Sequence, residues 1–292
     1  MRRTMACFVF LACAAAARAE QLPIRVYTTS DGLPRNVINR IVQDPRGFLW
    51  ICTTEGLAFF DGYTFTTYGT ADGLPDAEVF DLLITRRGDY WVATRKGLAL
   101  FRPGAARPDQ PRFTVYEPGV RPEERRVVRV EEDAGGNVWC STDDAVYRVV
   151  VRDGRVTFER VPLSLPKAYP TVVTFHAAED GTLWVATKNG LVRRQAGGEV
   201  VRFTTADGLP HDVITDLFDD RRGGLWVATD RGLALLDIRV QPAPAARKGS
   251  TQVQRWLEGQ NVRTVIETAD GTVWAGLNSG LARLGRGGEG TG

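Results

Sequence analysis

The sequence predicts an all-β fold, and three regularities of its 292 residues support that prediction. Six tryptophans recur at spacings of 41 to 48 residues, at Trp50, Trp91, Trp139, Trp184, Trp226 and Trp274. A glycine stands three residues before each of them, and a threonine stands three residues after five of them. A Gly-Leu pair begins six residues after five of the six. A tryptophan and glycines that keep register over such a period indicate stacked supersecondary units of one kind.

Each repeat is predicted to hold four short strands. The motif Asp-Gly-Leu-Pro, at residues 31–34, 72–75 and 207–210, supplies a positive-φ turn followed by a proline, so it is predicted as the loop between repeats. An inner strand follows, in which the residues twelve and nine positions before the tryptophan are apolar in all six copies. The tryptophan strand, a third strand and an outer strand rich in Phe, Tyr and Thr complete the unit. Four strands joined by hairpin turns predict one antiparallel blade.

Such blades can bury their apolar faces only against one another, and radial stacking predicts a β-propeller with the tryptophans between blades. The last repeat ends in a third strand at residues 281–284, whereas residues 24–29 resemble an outer strand. We therefore expect the N-terminal strand to complete the sixth blade and to close a six-bladed ring. A truncated seven-bladed ring is the alternative.

The two ends of the sequence lie outside the repeats. Residues 1–19 have the features of a secretory signal peptide, with two arginines, an apolar run over 5–17 and an Ala-Arg-Ala cleavage site before Glu20. The predicted division is a signal peptide over 1–19, a β-propeller over 20–285 and a glycine-rich tail over 286–292. This predicts a periplasmic or secreted protein that does not insert into the membrane after cleavage, with lipid attachment at Cys13 as the alternative. Cys52 and Cys140 lie in blades that are not neighbours, and we expect both to be buried free thiols.

The charge balance excludes one class of partner. The formal net charge is +2, and loss of residues 1–19 would leave 34 basic against 35 acidic residues. A balanced chain offers no electrostatic attraction for nucleic acid or for an anionic membrane surface. We therefore predict no nucleic-acid partner.

Residues suited to catalysis are scarce. The two histidines, His176 and His211, lie in different repeats with no carboxylate or cysteine at ligand spacing. No nucleophile, phosphate-loop or zinc motif is present. The acidic runs at 131–133 and 219–220 are predicted to be solvated hairpin turns, with a calcium site as the alternative. We therefore predict no catalytic residue, no metal and no cofactor, although propeller enzymes can gather single residues from several blades without a linear motif.

A binding site is predicted where polar residues converge. The Asp-Gly-Leu-Pro loops and the turns six residues after each tryptophan are expected to share one face of the propeller, and the positions ten residues before each tryptophan are expected to line its central channel. The candidate ligand-binding residues on this face and in the channel are Arg40, Asp81, Arg95, Lys96, Arg129, Lys188, Asn189, His211, Asp216 and Arg231. The alternative is that these charges only pair with one another, since buried charges need partners.

The combined pattern of Asp-Gly-Leu-Pro, an inner strand, Asp-x-x-Gly-x-x-Trp-x-x-Thr and Gly-Leu resembles the two-component regulator propeller repeat, over residues 22–285. The resemblance implies an extracytoplasmic sensor module that recognises a small molecule or a glycan. It implies as partner a membrane histidine kinase, reached through a fused sandwich domain, although this sequence contains no second propeller, sandwich domain, transmembrane helix or kinase. The alternatives are a propeller enzyme similar to streptogramin lyase and a protein-interaction scaffold.

Overall fold

The structure is a computed structural model that describes residues 25–104, 111–163, 172–220, 222–238 and 253–285. Its strands fall into six antiparallel sheets. Blades 1 to 3 comprise β1 (Ile38–Gln43), β2 (Leu49–Thr53), β3 (Gly56–Phe60) and β4 (Phe65–Tyr68); β5 (Val79–Ile84), β6 (Tyr90–Thr94), β7 (Gly97–Phe101) and β8 (Phe113–Tyr116); and β9 (Val127–Glu132), β10 (Val138–Thr142), β11 (Val146–Arg152) and β12 (Arg155–Arg160). Blades 4 to 6 comprise β13 (Val172–Ala177), β14 (Leu183–Thr187), β15 (Gly190–Arg194) and β16 (Val200–Phe203); β17 (Ile214–Asp219), β18 (Gly224–Thr229), β19 (Gly232–Asp237) and β20 (Val253–Trp256); and β21 (Val262–Glu267), β22 (Val273–Leu277) and β23 (Gly280–Leu284). The described residues also contain one short α-helix, α1 (Pro122–Arg125), which precedes β9, and three 3₁₀ turns, Thr29–Asp31, Thr70–Asp72 and Thr205–Asp207.

The architecture confirms the predicted all-β propeller with six blades. Within each sheet the strands pair in chain order, and the first strand of each blade packs against the first strand of the next from blade 1 to blade 6. Five blades have four strands, and the sixth has three among the described residues.

A β-bulge in every inner strand explains a spacing that a regular strand would not allow. Ile38 pairs with Thr53 and Arg40 pairs with Cys52, so Asn39 is an extra residue, and the same shift recurs in the other five inner strands. Side chains alternate between the faces of a strand, so two residues three positions apart would normally face opposite ways. The extra residue restores them to one face, which is why the apolar positions lie twelve and nine residues before the tryptophan.

Five of the six repeat tryptophans are packed between consecutive blades, as predicted, and the sixth, Trp274, is only partly buried. Trp50 is 1% exposed and belongs to a cluster that includes Val79 and Leu82 of blade 2. Trp226 is also 1% exposed and packs with Val262 of blade 6. Each blade therefore has a rear face, which carries the tryptophan, and a front face, which carries the two apolar residues of the inner strand. The rear face of one blade packs on the front face of the next.

The recurrent spacing of threonine and Gly-Leu is explained by the turn between the second and third strands. Oγ1 of Thr94 donates to the carbonyl of Gly97 at 2.8 Å and accepts the N–H of Lys96 at 3.3 Å. Gly97 has φ +123°, and a Cβ there would stand 2.6 Å from the carbonyl oxygen of Tyr116 at the end of the fourth strand. Only glycine fits both this backbone conformation and this close approach.

We expect Gly97→Ala to lower the free energy of unfolding by more than ~2 kcal/mol, since strain and a backbone clash act together. The matched control is Gly280→Ala in blade 6, where φ is +144° and nothing lies within 4 Å of the added Cβ. Both variants carry the backbone strain, and only the first carries the clash. Urea denaturation of the two variants measures the difference, and equal losses would contradict this explanation.

The Asp-Gly-Leu-Pro motif forms a capped turn between blades. The carboxylate of Asp31 accepts the N–H of Thr28 at 2.8 Å, and Gly32 adopts a left-handed φ of 104°. Leu33 is buried at 9% exposure, as are its counterparts Leu74 and Leu209 at 3% and 2%. The motif is therefore the predicted loop between blades, with aspartate as cap, glycine as turn and leucine as anchor.

The predicted closure by the N-terminal strand is wrong for the described part of this segment. Residues 25–28 form no strand, and the ring of Tyr27 packs instead on blade 1, 5.0 Å from Phe60 and 5.6 Å from Phe65 between ring centroids. The third strand of blade 6, β23, pairs with β22 and with no fourth strand in the described ranges. Sequence similarity to an outer strand identified the type of segment but not the blade on which it lies.

The cysteine prediction is confirmed, because Cys52 and Cys140 are both free and buried. No helix within residues 25–285, as far as they are described, has the length and apolar character needed to cross a membrane. The predicted signal peptide, the lipid-attachment alternative at Cys13 and the glycine-rich tail lie outside the described residues.

Candidate functional site

A row of ion pairs joins the inner strands of the first three blades. Asp81 is 2% exposed, and its carboxylate lies 3.4 Å from Nε of Arg40 in blade 1 and 3.8 Å from Nε of Arg129 in blade 3. The backbone N–H of Val130 also donates to this carboxylate, at 3.2 Å. Burying a charge is costly unless the charge is paired, and Asp81 is paired from both neighbouring blades. The structure thus brings together three of the residues predicted for the channel.

Asp216, the fourth residue predicted for the channel, makes the same type of contact between blades 5 and 6. Oγ1 of Thr264 in blade 6 donates to the carboxylate of Asp216 in blade 5 at 2.7 Å, and the N–H of Val265 donates to it at 3.2 Å. The residue ten positions before the tryptophan therefore contacts the inner strand of the next blade in both halves of the propeller. This agrees with the alternative that these polar residues pair with one another.

His176 connects three blades through both nitrogens of its ring. Nδ1 lies 2.8 Å from a carboxylate oxygen of Glu131 in blade 3, and Nε2 lies 2.9 Å from a carboxylate oxygen of Asp219 in blade 5. Burial of the ring opposes protonation, but the hydrogen bonds with Asp219 and Glu131 outweigh it and raise the pKa of His176 to about 9. At neutral pH the ring is therefore a cation that donates to a carboxylate on each side.

This His176 bridge corrects two sequence-based expectations. The sequence shows no carboxylate at ligand spacing from His176 and predicts a solvated turn at residues 131–133, yet Glu131 lies in β9 and its carboxylate contacts the histidine. The signal was present in the repeat register, because Glu131 and His176 each stand eight residues before their tryptophan and Asp219 stands seven before its own. Eight residues before the tryptophan, blades 1 and 2 have the apolar residues Val42 and Leu83. Polar residues at that position in blades 3 and 4 are the sequence signal that could have identified the cluster.

A cavity of about 800 Å³ lies against both clusters. Its lining includes Arg40, Asp81, Glu131, His176 and Asp219. It extends to the turns between first and second strands, where Asp44 and Asp133 stand. The cavity therefore reaches the face opposite the Asp-Gly-Leu-Pro loops.

The loop face itself carries charges that are already paired. Lys96 Nζ lies 3.4 Å from the carboxylate of Asp76, and the guanidinium of Arg95 is in contact with Glu78. Arg35 of the first Asp-Gly-Leu-Pro loop lies 3.0 Å from Glu55 of the following turn. These contacts confirm that the two sets of loops share one face. They also supply partners for the basic side chains expected to bind a ligand there.

The other predicted loop residues are spread over two blades. Lys188 and Arg231 are exposed, and the N–H groups of Asn189 and Arg231 are used by the threonines of their own turns, at 3.0 and 3.2 Å. Nδ1 of His211 accepts the N–H of Val213 at 3.1 Å. Among the described residues, no hydrogen bond or ion pair joins these four side chains to one another.

The acidic runs at residues 131–133 and 219–220 are the candidates for a calcium site. Within the described part of the chain, no group of three or more His, Cys, Asp or Glu side chains is arranged to hold a metal ion. The carboxylates of Glu131 and Asp219 are directed to His176, and Glu132 pairs with Arg86 at 3.3 Å.

Comparison with protein families supports the repeat assignment. Residues 32–55 and 208–231 match the model described as two component regulator propeller. These two segments are two-component regulator propeller repeats. Each matched segment runs from the glycine of an Asp-Gly-Leu-Pro loop through the tryptophan strand to the following turn. The resemblance predicted from the sequence is thereby confirmed.

Solved structures share the propeller fold. The extracellular domain of the protein described as hybrid two component system BT3049 from B. thetaiotaomicron matches with a TM-score of 0.71 and 22% identity, over 89% of this chain and 35% of that chain. The extracellular domain of the system BT4673 from the same organism matches with a TM-score of 0.65 and 18% identity, over 86% and 33%. A streptogramin B lyase matches with a TM-score of 0.57 and 16% identity, over 86% and 94%.

At these identities the likeness shows the fold alone. The chain spans about a third of the length of the two extracellular domains from B. thetaiotaomicron. None of the curated proteins matches the sequence.

Proposed function

We propose that the protein is an extracytoplasmic, non-catalytic sensor propeller that binds a small polar molecule or a glycan in its central channel. The observation that carries this proposal is the cavity of about 800 Å³, whose lining includes Arg40, Asp81 and His176 from three blades. Concave sites in which a few polar groups converge are the usual form of a small-molecule site. The volume is in the range that such ligands occupy. The repeat family and the similarity to extracellular sensor domains support the sensor role.

The state of the two histidines supports a non-catalytic role over the lyase alternative. A general base must have a free nitrogen near the proton that it removes. Both nitrogens of His176 are held by carboxylates, and in His211 the lone pair of Nδ1 accepts a backbone N–H, which leaves Nε2 of the neutral ring as the protonated, donor nitrogen. The similarity to streptogramin B lyase, at 16% identity, concerns the fold.

The ligand site is tested with charge-neutralising pairs. A glycan array and a thermal-shift screen of the purified protein would first identify a ligand. We then expect Arg40→Gln with Asp81→Asn to weaken its binding at least ~10-fold, the equivalent of about 1.4 kcal/mol. Arg95→Gln with Lys96→Gln should change affinity less than ~2-fold, because neither side chain lines the cavity. Isothermal titration calorimetry measures both.

Asparagine at position 81 retains an acceptor for the N–H of Val130, so the channel variant is expected to stay folded. Arg155→Gln, on the exposed outer strand β12, is the matched charge control. A large loss in the Arg95–Lys96 pair and none in the Arg40–Asp81 pair would transfer the site to the loop face.

The location and the partner are part of the same proposal. Intact mass of the exported protein should correspond to a chain that begins at Glu20, whereas an acylated chain that begins at Cys13 would identify a lipoprotein. The proposed partner is a membrane histidine kinase, or a sandwich domain fused to one. Ligand-dependent autophosphorylation of a cross-linked kinase would support that partner, and cross-linking only to proteins of other classes would contradict it.

A further inference from the structure

The front face of blade 1 is open where every other front face is covered. Ile38 and Ile41 are 37% and 57% exposed. The residues at the same two positions in blade 2, Val79 and Leu82, are 0% and 3% exposed. In blade 6 the corresponding pair, Val262 and Val265, is 0% and 2% exposed. Blade 1 therefore has the apolar residues of an interface, and no blade of the described residues lies in front of it.

The rear face of blade 6 is open in the same way. Leu281 is 68% exposed, whereas Leu57, Leu98, Leu191 and Leu233, at the same position in blades 1, 2, 4 and 5, are all 0% exposed. Ile266 on the inner strand is 51% exposed. The outer edge of β23 also has no partner strand among the described residues. A slot thus separates blade 6 from blade 1, and both of its walls are apolar.

The N-terminal segment shows what belongs in this slot. Tyr68, at the end of the fourth strand of blade 1, packs on Phe101 of blade 2 with 4.9 Å between ring centroids. Tyr27 packs in the same way on Phe60, which is the counterpart of Phe101 in blade 1, at 5.0 Å. Both tyrosines precede an Asp-Gly-Leu-Pro turn with a buried leucine. Residues 25–28 therefore occupy the position of the fourth strand of a blade that precedes blade 1.

The hydrogen bonds between consecutive inner strands indicate which kind of strand fits beside blade 6. The side chain eleven positions before the tryptophan donates a hydrogen bond to the inner strand of the next blade. Asn39 donates to the carbonyl of Val79 at 2.7 Å, and Thr215 donates to the carbonyl of Val262 at 2.5 Å. The residue ten positions before the tryptophan accepts the N–H of the next strand at Asp81 and Asp216, each at 3.2 Å. In blade 6 these positions are Arg263 and Thr264, and both are exposed. An inner strand of the same repeat fits this pattern.

The slot does not close by a small adjustment. Consecutive blades from blade 1 to blade 6 meet at five interfaces with the same packing, and close-packed interfaces resist rotation. Joining blade 6 to blade 1 would require a change at all five. One inserted unit would cover both walls without disturbing any of them.

We propose that the slot receives one further blade of the same repeat, a β-sheet from outside residues 25–285. Its front face covers Ile266 and Leu281, and its rear face covers Ile38 and Ile41. Its third strand pairs with residues 25–28, and a strand that precedes it pairs with β23. The chain is in this view an arc that a repeat-bearing β-sheet completes.

The experiment uses single cysteines as reporters, because the native Cys52 and Cys140 are buried. The variants Ile41→Cys and Leu281→Cys should react rapidly with a maleimide, and Val79→Cys, in a packed interface, should react slowly. Residues 195–238 of this chain, which contain one fourth strand and the next three strands, are then joined directly after Leu284. This reproduces the natural connection between β15 and β16.

With the added repeat, we expect the labelling rates at positions 41 and 281 to fall at least ~10-fold and the melting temperature to rise. A second extended protein carries residues 61–101 in place of 195–238. It ensures that the result does not depend on whether one particular added repeat folds. Rapid labelling in both extended proteins overturns the proposal. Slow labelling of the original chain would show that the ring closes by itself, and slowing only at high protein concentration would show that a second copy covers the slot; either result also overturns it. Neither reporter lines the ligand cavity, so the outcome is independent of the proposed function.

Discussion

Trp91→Ala is expected to lower the free energy of unfolding by ~3–5 kcal/mol, the range for removing a large aromatic side chain from a packed core. The side chain is 3% exposed and packs with Leu98 of its own blade and with Val127 and Val130 of blade 3. The substitution would leave an empty space between blades 2 and 3, two sheets that meet mainly through such side chains. Urea denaturation monitored by circular dichroism measures the change.

Trp274→Ala is the matched control, since Trp274 has the same place in the repeat but faces the open slot and is only partly buried. It should lose less than half as much stability as Trp91→Ala. Equal losses would show that the tryptophans act within their own blades and not between them. Loss of ligand binding by Trp91→Ala with an unchanged denaturation midpoint would instead make Trp91 a recognition residue.

Stability should fall by about 3 kcal/mol as pH rises from 6.5 to above 9, through the titration of His176. Its pKa is about 9 in the folded protein, against 6.5 for an unperturbed histidine. A group whose pKa is raised by folding binds its proton more tightly in the folded state, so its contribution is complete below pH 6.5 and is lost as pH passes 9. The magnitude follows from the distance between the two pKa values at about 1.4 kcal/mol per pH unit.

His176→Gln separates this effect from other titrations. The variant keeps a hydrogen-bonding side chain but has no charge to lose, so its stability should change much less over the same pH range. Burial raises the pKa of the Cys52 and Cys140 thiols, and their contribution is common to both proteins. Denaturation midpoints at pH 6 and pH 9.5 provide the comparison, and the same pH dependence in both proteins would exclude His176 as its source.

The blades could be predicted from the sequence because each is a local structure. The tryptophan, the glycine turn and the Gly-Leu turn lie within about a dozen residues of one another, and their spacing determines the hairpins that join the strands. The Asp-Gly-Leu-Pro turn is equally local, because Asp31 caps the N–H of a residue three positions away. The β-bulge of each inner strand is also visible in the sequence, because the two apolar residues of that strand are three positions apart.

The site and the slot depend on contacts that local patterns do not specify. His176 meets residues 45 and 43 positions away, so its partners are determined by the rotation of one blade against the next. Arg40, Asp81 and Arg129 are predictable as channel residues because they share a register. Their pairing required the bulge and the twist of each sheet. The position of Tyr27 could not be predicted either, since an outer-strand sequence fits any blade edge.

The two buried thiols make the intact protein its own reporter of blade separation. Cys52 lies at the interface of blades 1 and 2, and Cys140 at that of blades 2 and 3. A thiol reagent reaches either sulfur only when the sheets around it separate, so the labelling rate of each cysteine measures the opening free energy of a different interface. Unequal rates would show that the propeller opens one blade at a time, and equal rates would show that these blades unfold as one unit. In an oxidising medium the same openings would expose the cysteines to oxidation, so the working lifetime of the protein would be limited by its least stable interface.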